Sequence, residues 1–417
     1  MSSFFLKIVN MSIAASWLIL AVVLLRVVLK KAPKWINVLL WGIVAFRLIC
    51  PFSFESALSL IPSAETISPE IMMDWTPEIS TGVSSIDKVV NPIITDTFAP
   101  EPIASANPLQ LLIPVLAIVW AIGIIAMLVY AAVSYFRLQK KVGASLSVRD
   151  NIWICDDIQT PFILGFFKPS IYIPSGTDEA QLPYIIAHEN AHLKRCDHWW
   201  KPLGYLVLAI HWFNPLVWIT YILLCRDIEL ACDEKVIRGL NQNESISYSE
   251  ALLSCSVNRR TVMVCPLAFG EVGVKERVKN VLNYKKPAFW IVAIAVVSSI
   301  VLGVCFLTNP SSFPVKLDSV QISKASTMDF RTNSGPTTFQ LNVSEIDELS
   351  SRIKHLKIGQ KDQSLQGHTP FYSLNVDTRE NDRITFSGFD SNGNQSAILY
   401  ENCLLYTSPS PRDGATS

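Results

Sequence analysis

Leu203-Gly204-Tyr205-Leu206-Val207-Leu208-Ala209-Ile210-His211-Trp212-Phe213-Asn214-Pro215-Leu216-Val217-Trp218-Ile219-Thr220-Tyr221-Ile222-Leu223-Leu224 is apolar enough to pass for a membrane span, yet it carries His211, Asn214 and Pro215 at its middle. Hydropathy alone would send it across a bilayer once. A mid-span Asn-Pro argues otherwise, because Pro removes a backbone donor that hydrocarbon cannot replace. Basic residues bracket both ends, with Lys194, Arg195 and Lys201 before the run and Arg226, Lys235 and Arg238 after it. Lys and Arg flanking apolar helices mark the cytoplasmic side. Both ends therefore belong there, and the run reads as a helical hairpin turning at Phe213-Asn214-Pro215, buried in a domain or dipping into the bilayer.

The hairpin matters because of what lies on either side of it. Upstream stands His188-Glu189-Asn190-Ala191-His192, H-E-x-x-H, after the apolar Tyr184-Ile185-Ile186-Ala187. Asp178 and Glu179 favour a helix start and Pro183 fits its first turn, so the helix runs through both histidines to about Arg195. Imidazoles four apart on a helix share a face and can hold one zinc ion, with Glu189 placed as base for a water at the open position. Two core imidazoles would leave Glu189 unexplained, since an unpaired carboxylate in an apolar helix is costly.

A catalytic zinc takes three protein ligands, and the sequence offers several thirds. Glu229 and Asp233 form E-x-x-x-D on one face of a helix-like stretch, 226–238, with Glu229 able to bind metal and Asp233 to hold a ligand histidine by its other nitrogen. His198 sits at the third-histidine spacing of H-E-x-x-H-x-x-G-x-x-H, but Arg195 stands where that pattern needs glycine. The thiolates of Cys196, Cys225 or Cys232 would also coordinate zinc, in a manner more suited to a structural ion. Had the run 203–224 crossed the membrane once, Glu229 would be lost to His188.

Half of the 417 residues are hydrophobic and 17% are charged, and the mean hydropathy of +0.32 is too high for an ordinary soluble chain. Residues 8–29, 35–50, 109–136 and 288–307 read as four spans, the second short and carrying Arg47, which is expected to reach for headgroups. The first lacks a small-residue cleavage site and reads as retained. Basic clusters at Arg26, Lys30, Lys31 and Lys34, at Arg137, Lys140 and Lys141, and from Lys275 to Lys286 place those connections in the cytoplasm. Residues 52–108 hold eight acids against the single Lys88 and belong outside, as do both termini. A formal net charge of zero, with no basic-aromatic run away from the membrane flanks, argues against direct nucleic-acid binding. Six of the nine cysteines, Cys155 to Cys265, fall in the cytoplasmic part, so no disulfide framework is expected.

The resulting layout has two spans in 1–51, an outer loop in 52–108 that is irregular with room for short helices, and a third span in 109–136. A cytoplasmic domain follows in 137–287, then a fourth span in 288–307, a small external domain in 308–404 and an unfolded, artefact-like tail in 405–417. Strands are expected at 151–155 and 162–174, the latter broken by Gly165 and Lys168-Pro169; region 165–173 is the candidate edge for pairing with a peptide. The external domain should hold strands near 315–322, 337–341 and 384–389 and a helix near 344–356.

Residues 160–174 (T-P-F-I-L-G-F-F-K-P-S-I-Y-I-P), 188–197 (H-E-N-A-H-L-K-R-C-D), 211–215 and 229–234 together resemble the BlaR/MecR-like membrane metallopeptidases, over residues 1–307. The resemblance implies an α+β membrane protein with a cytoplasmic zincin-like, gluzincin-type metalloprotease domain. It implies one Zn2+ held by His188, His192 and Glu229, with Glu189 as general base and Asp233 behind a ligand. It also implies a multi-pass protein of a bacterial cell membrane whose substrate is a cytoplasmic winged-helix repressor or its own chain, with the lipid bilayer and a homodimer as further contacts. The penicillin-binding external domain of the family's drug sensors has no counterpart: Ser351-Arg352-Ile353-Lys354 spells S-x-x-K without S-D-N or K-T-G. Two other readings compete, a housekeeping membrane protease and a non-proteolytic receptor with a structural zinc.

Overall fold

A computed structural model describes residues 1–310, except 52–53, 57, 64, 73–76, 78, 99–107, 150 and 258–272, and beyond 310 the strands named below. The chain divides into two compact units at Ser311. In the first unit, α1 (Ser2–Val28), α4 (Pro108–Lys141) and α10 (Phe289–Leu307) are long and apolar enough to cross a membrane, with hydropathies of 2.4, 2.8 and 2.7. The fourth expected span, α2 (Lys34–Ile49), has 16 residues, about 24 Å of helix against a hydrocarbon core of about 30 Å. Prolines limit it: Pro33 precedes its first turn, and Cys50, before Pro51, is already extended. The described residues thus hold three helices of spanning length where the sequence predicts four.

The run 203–224 folds as a hairpin. Helix α6 (Asp197–Ile210) and helix α7 (Pro215–Ile237) are joined by His211 to Asn214, with Pro215 opening α7. The Asn214 side chain accepts from Leu216 N at 2.9 Å and donates to Ser12 and Ser16 of α1 at 2.8 and 2.9 Å. His211 Nε2 bonds Leu48 O at 3.1 Å. The helices are antiparallel: Tyr205 meets Tyr221, and Lys201 meets Glu229. Leu18, Ile19 and Val22 of α1, Leu40, Trp41 and Val44 of α2, Leu208, Val217 and Leu302 form one core, so hairpin and apolar helices are packed as a unit. A glycine is required at 123 in α4, because a Cβ there would stand 2.3 Å from the Trp212 ring.

One expectation is corrected nearby. Arg47 does not reach outward; it is 7% exposed and donates from Nη2 to Asn309 Oδ1 at 2.7 Å, closing the end of α10. The Asn309 amide oxygen gives the buried guanidinium an acceptor and so offsets part of the cost of burying it. Within 52–108, read as irregular with room for short helices, residues 84–98 form the 15-residue helix α3 (Ser84–Phe98), anchored where Asn91 bonds both N and O of Ile79. A short parallel pair, β1 (Glu55–Ser56) with β6 (Asn309–Pro310), joins this region to the end of α10.

After α4 a four-stranded sheet forms from β2 (Leu146–Arg149), β3 (Ile152–Cys155), β4 (Phe162–Leu164) and β5 (Ser170–Pro174), in the order β2-β3-β5-β4. Gly165, at φ 111, turns the chain between β4 and β5, the break that Gly165 and Pro169 forecast. Strand β5 is interior, with Ile171 and Ile173 buried, so the predicted edge at 165–173 is wrong; β4 and β2 are the edges. Helices α5 (Leu182–Lys194), α8 (Gln242–Val257) and α9 (Val274–Leu282) complete this unit.

The second unit is described as a seven-stranded antiparallel sheet. Its strands are β7 (Thr327–Thr332), β8 (Gly335–Gln340), β9 (Lys357–Lys361), β10 (Tyr372–Asp377), β11 (Arg383–Ser391), β12 (Gln395–Tyr400) and β13 (Cys403–Tyr406), in the order β8-β7-β10-β11-β12-β13-β9. The strands expected at 337–341 and 384–389 correspond to β8 and β11, whereas the expected strand at 315–322 and helix at 344–356 lie outside the described residues. Strand β13 continues past 404, so the sheet takes in the first residues of the stretch read as tail.

Candidate metal centre

Helix α5 presents His188 and His192 one turn apart on a buried face, their rings crossed at 88°. The two Nε2 atoms face each other at 3.2 Å. Each Nδ1 is already committed. His188 Nδ1 meets Tyr248 Oη of α8 at 2.8 Å, and that hydroxyl donates to Asp233 Oδ1 at 2.7 Å. His192 Nδ1 meets Asp197 Oδ2 at 2.8 Å. These partners favour the Nδ1–H tautomer on both rings and turn both Nε2 atoms toward the site, that of His188 also facing Arg277 Nη2 at 3.3 Å.

Glu229 of α7 approaches both imidazoles. Its Oε2 lies 3.5 Å from His188 Nε2 and its Oε1 3.6 Å from His192 Nε2. The three groups converge at 3.2, 3.5 and 3.6 Å, with Lys201 and Arg277 as the cations that border them. Zinc–nitrogen bonds of 2.0–2.1 Å in a tetrahedron set donors about 3.3 Å apart, so the residues fit this ion. Cys232 also approaches, its Sγ grouped with both imidazoles within 4.8 Å. The two Glu229 oxygens match the tetrahedral edge, and the Cys232 thiol donates to His188 O at 3.3 Å. Cys225 belongs to the helical core, Cys196 is exposed, and neither they nor His198 join the cluster of described residues.

Glu189, the adjacent residue of α5, is 8% exposed. Among the described residues no hydrogen bond or ion pair takes up its carboxylate, and its oxygens are not among the sealed unpaired atoms. A carboxylate so placed is available to a proton of something entering the site.

Four further groups escape sequence reading. Asp197 reaches His192 because Cys196, in the left-handed conformation at φ 58, swings the chain back between α5 and α6. The signal was present as the aspartate five residues beyond His192, one position from where the glycine-dependent pattern was sought. Tyr248, Lys201 and Arg277 come from distant elements and no local motif marks them. Lys201 Nζ bonds Glu229 Oε1 at 2.9 Å. Arg277 of α9, 2% exposed, holds Asp233 through Nε and Nη2 at 2.7 and 2.8 Å and places Nη1 3.3 Å from Glu229 Oε2. Burial alone would raise the Glu229 carboxyl, but Lys201 and the imidazoles overcome it and hold it well below the usual carboxylate range. Asp233 follows the same logic, with Arg277 overcoming burial.

Known proteins carry related sequence. The family described as BlaR1 peptidase M56 matches residues 6–281. The methicillin resistance mecR1 protein of Staphylococcus aureus is 32% identical over 136 residues, 31% of this chain and 23% of that protein. The regulatory protein BlaR1 of Bacillus licheniformis is 29% identical over 164 residues, 37% of this chain and 27% of that protein. The chain thus spans about a quarter of the length of the curated relatives it matches. With a match over well more than half of its length, this chain belongs to the BlaR1 peptidase M56 family.

Proposed function

We propose that this protein is an integral membrane zinc metalloendopeptidase that transduces a signal, cleaving a cytoplasmic winged-helix repressor, its own chain, or both. The observation that carries this reading is the convergence of His188 Nε2, His192 Nε2 and the Glu229 carboxylate at 3.2 to 3.6 Å. A zinc ion held by the three would polarise a scissile carbonyl and bring the pKa of a water to about 7. Glu189 takes a proton from the attacking water and passes it to the departing amine. Tyr248 with Asp233, and Asp197, hold the imidazoles in the tautomer that exposes Nε2. Lys201 and Arg277 keep Glu229 ionised.

The topology that goes with this function has four crossings, with α2 the short one, and the metal centre on the cytoplasmic side. The antiparallel hairpin supports it, since Lys201 and Glu229 lie side by side although an apolar run separates them. In this arrangement both termini, residues 52–108 and the second unit lie outside the cell. Edge strand β4, on the far side of the Gly165 turn, takes the role first given to 165–173 as the place where a substrate strand pairs.

The test uses the full chain in lipid nanodiscs, with candidate winged-helix repressors added with and without chelator. We expect chelator-sensitive cleavage by a protein carrying one zinc per chain, and Glu189→Gln that keeps its zinc but cuts nothing. Intact repressors and an uncut own chain beside zinc-loaded wild type, or a Glu189→Gln variant that still cleaves, would overturn the reading.

A further inference from the structure

A helical hairpin that starts and ends on one side of a bilayer still has a depth, and three neighbouring helices measure it. At the turn, Asn214 donates to Ser12 of α1 at 2.8 Å, and His211 Nε2 meets Leu48 O of α2 at 3.1 Å. The Trp212 ring lies against Gly123 of α4. Ser12 stands fourteen residues from Arg26, Leu48 fourteen from Lys34, and Gly123 fourteen from Arg137. Those basic residues mark the inner ends of the three helices. Fourteen helical residues rise about 21 Å, so all three helices put the turn at one level, about 21 Å into a hydrocarbon core of about 30 Å.

The turn and the surface of the hairpin suit that depth. Carbonyls that leave the helical ladder find no water in hydrocarbon and need donors from the chain. Ile210 O accepts from Trp120 Nε1 at 2.8 Å, and Trp212 O from Trp218 Nε1 at 2.7 Å. The outward side is apolar, with Trp199, Leu203 and Leu206 at helical spacing along α6 and Trp218, Ile219 and Ile222 along α7. Each is 36–45% exposed. In water such a continuous patch is costly.

This face ends where headgroups begin. Trp199 lies twelve residues before His211, about 18 Å back from the turn and near the level of Arg26 and Lys34. Phe166 and Phe167, in the turn between β4 and β5, place their ring centroids 3.8 and 5.9 Å from that of Trp199. Lys168 and Lys194, close by in sequence, are exposed. Aromatic rings with basic side chains fit the inner headgroup layer, where anionic lipids attract Lys and Arg.

We propose that the α6–α7 hairpin is a re-entrant membrane element entering from the inner side, its outward face against lipid acyl chains and the Phe166, Phe167 and Trp199 cluster among the inner headgroups. The occupant is lipid because the level set by α1, α2 and α4 falls inside the hydrocarbon. The inference rests on the topology proposed above and is independent of the chemistry at the metal. It sets the metal centre, joined to the hairpin through Lys201 and Glu229, at the inner membrane surface.

The experiment takes the full chain in vesicles of phosphatidylcholine and phosphatidylglycerol, with a nitroxide on p-acetylphenylalanine introduced singly at Leu203, Leu206, Ile219 or Ile222. Exposed positions Ile125 of α4 and Glu179 serve as lipid and water references. Collision of each nitroxide with oxygen, which enters lipid, and with a nickel chelate, which stays in water, gives its depth. We expect Leu206 and Ile219, each five residues from the turn, to match each other and to resemble Ile125. Leu203 and Ile222, each eight residues away, should lie about 4.5 Å nearer the inner surface. In the wild-type chain, phosphatidylcholine with a diazirine near the end of an acyl chain should leave adducts on Leu206 and Ile219, a readout that needs no altered residue.

The proposal is overturned if the chelate reaches Leu206 and Ile219 as it reaches Glu179 and the hairpin gains no lipid adduct, which puts that face in water. It is overturned equally if neither oxygen nor chelate reaches them and nitroxides couple between copies, which makes the face a contact with a second chain. The topology has its own readout. In intact cells, p-azidophenylalanine at Lys88 should react with an impermeant cyclooctyne and that at Lys30 should not. The reverse pattern would overturn the topology, and with it the side from which the hairpin enters.

Discussion

Helix α7 buries carboxylates on two opposite faces, and the two sets meet different surroundings. Asp227 and Glu234, seven residues apart, face α1 and α2. Asp227 is fully buried, takes two bonds from Arg26 at 2.7 Å each, and accepts from Trp41 Nε1 at 2.8 Å. Glu234 accepts from Lys34 N at 2.6 Å and from Arg238 at 2.9 Å. Every acceptor there has a donor fixed within the chain, which is how a buried charge becomes a structural clamp. Glu229 and Asp233, four apart on the other side, also have donors in Lys201, Arg277 and Tyr248, but there the carboxylate of Glu229 converges with His188 Nε2 and His192 Nε2, all within 3.6 Å. Carboxylates paired only with donors mark architecture, and a carboxylate that converges with two imidazole nitrogens marks a place where a metal ion fits. One helix thus joins the apolar bundle to the metal centre.

The contrast makes graded forecasts. Glu229→Gln should abolish hydrolysis and reduce zinc to well below one per chain, measured by metal analysis of the purified protein, because it removes one of the three proposed ligands. Retained stoichiometric zinc would transfer the third place to Cys232. Asp227→Asn should do the reverse, keeping zinc while lowering unfolding stability by about 3 kcal/mol, since it strands Arg26 beside a neutral amide. Chemical denaturation in detergent reads this out, and a zinc-free but equally stable Asp227→Asn would erase the distinction between the two faces.

Asp197→Asn should weaken zinc affinity by about 10- to 100-fold through loss of tautomer control on His192, measured by competition with a chelating dye. An unchanged affinity would mean that the aspartate serves only Arg195. Trp41→Phe, which leaves Asp227 its two Arg26 bonds, should cost about 1.5 kcal/mol with no change in zinc.

A pH test separates the faces once more. Arg277 holds Asp233 below its ordinary value of 3.8 despite burial. A carboxyl lowered in the folded state contributes stability that is complete above its unfolded pKa and is lost as pH falls below it toward the folded value. The chelator-treated protein should therefore weaken below about pH 4. Asp233→Asn should flatten that part of the profile, and an unaltered slope would show that Asp233 is not so coupled.

Much of the arrangement was legible in residue order. H-E-x-x-H placed two imidazoles on one helix face because helix geometry alone brings i and i+4 together. Basic residues at both ends of 203–224, with Asn214-Pro215 between them, forecast a reversal, because Pro at a helix start and Asn before it are local chemistry. The E-x-x-x-D of Glu229 and Asp233 was visible for the same reason. Arg47 misled, since an arginine near a span end has two outlets and the sequence does not show that Asn309 waits at the end of α10. Strand β5 misled too. A proline in a strand points to an edge, but Pro169 lies just before β5 and Pro174 at its last position, where no inner ladder bond is lost.

Residue order was thus sufficient for whatever depends on neighbours along the chain: apolar helices, the hairpin reversal, the paired imidazoles and the carboxylate helix that follows. Long-range packing alone settled which oxygen faces which nitrogen. Asp197, Lys201, Tyr248 and Arg277 meet the same cluster from three helices besides α5 and α7. No local periodicity encodes such a meeting, because burying their charges is tolerable only once all of them are present together.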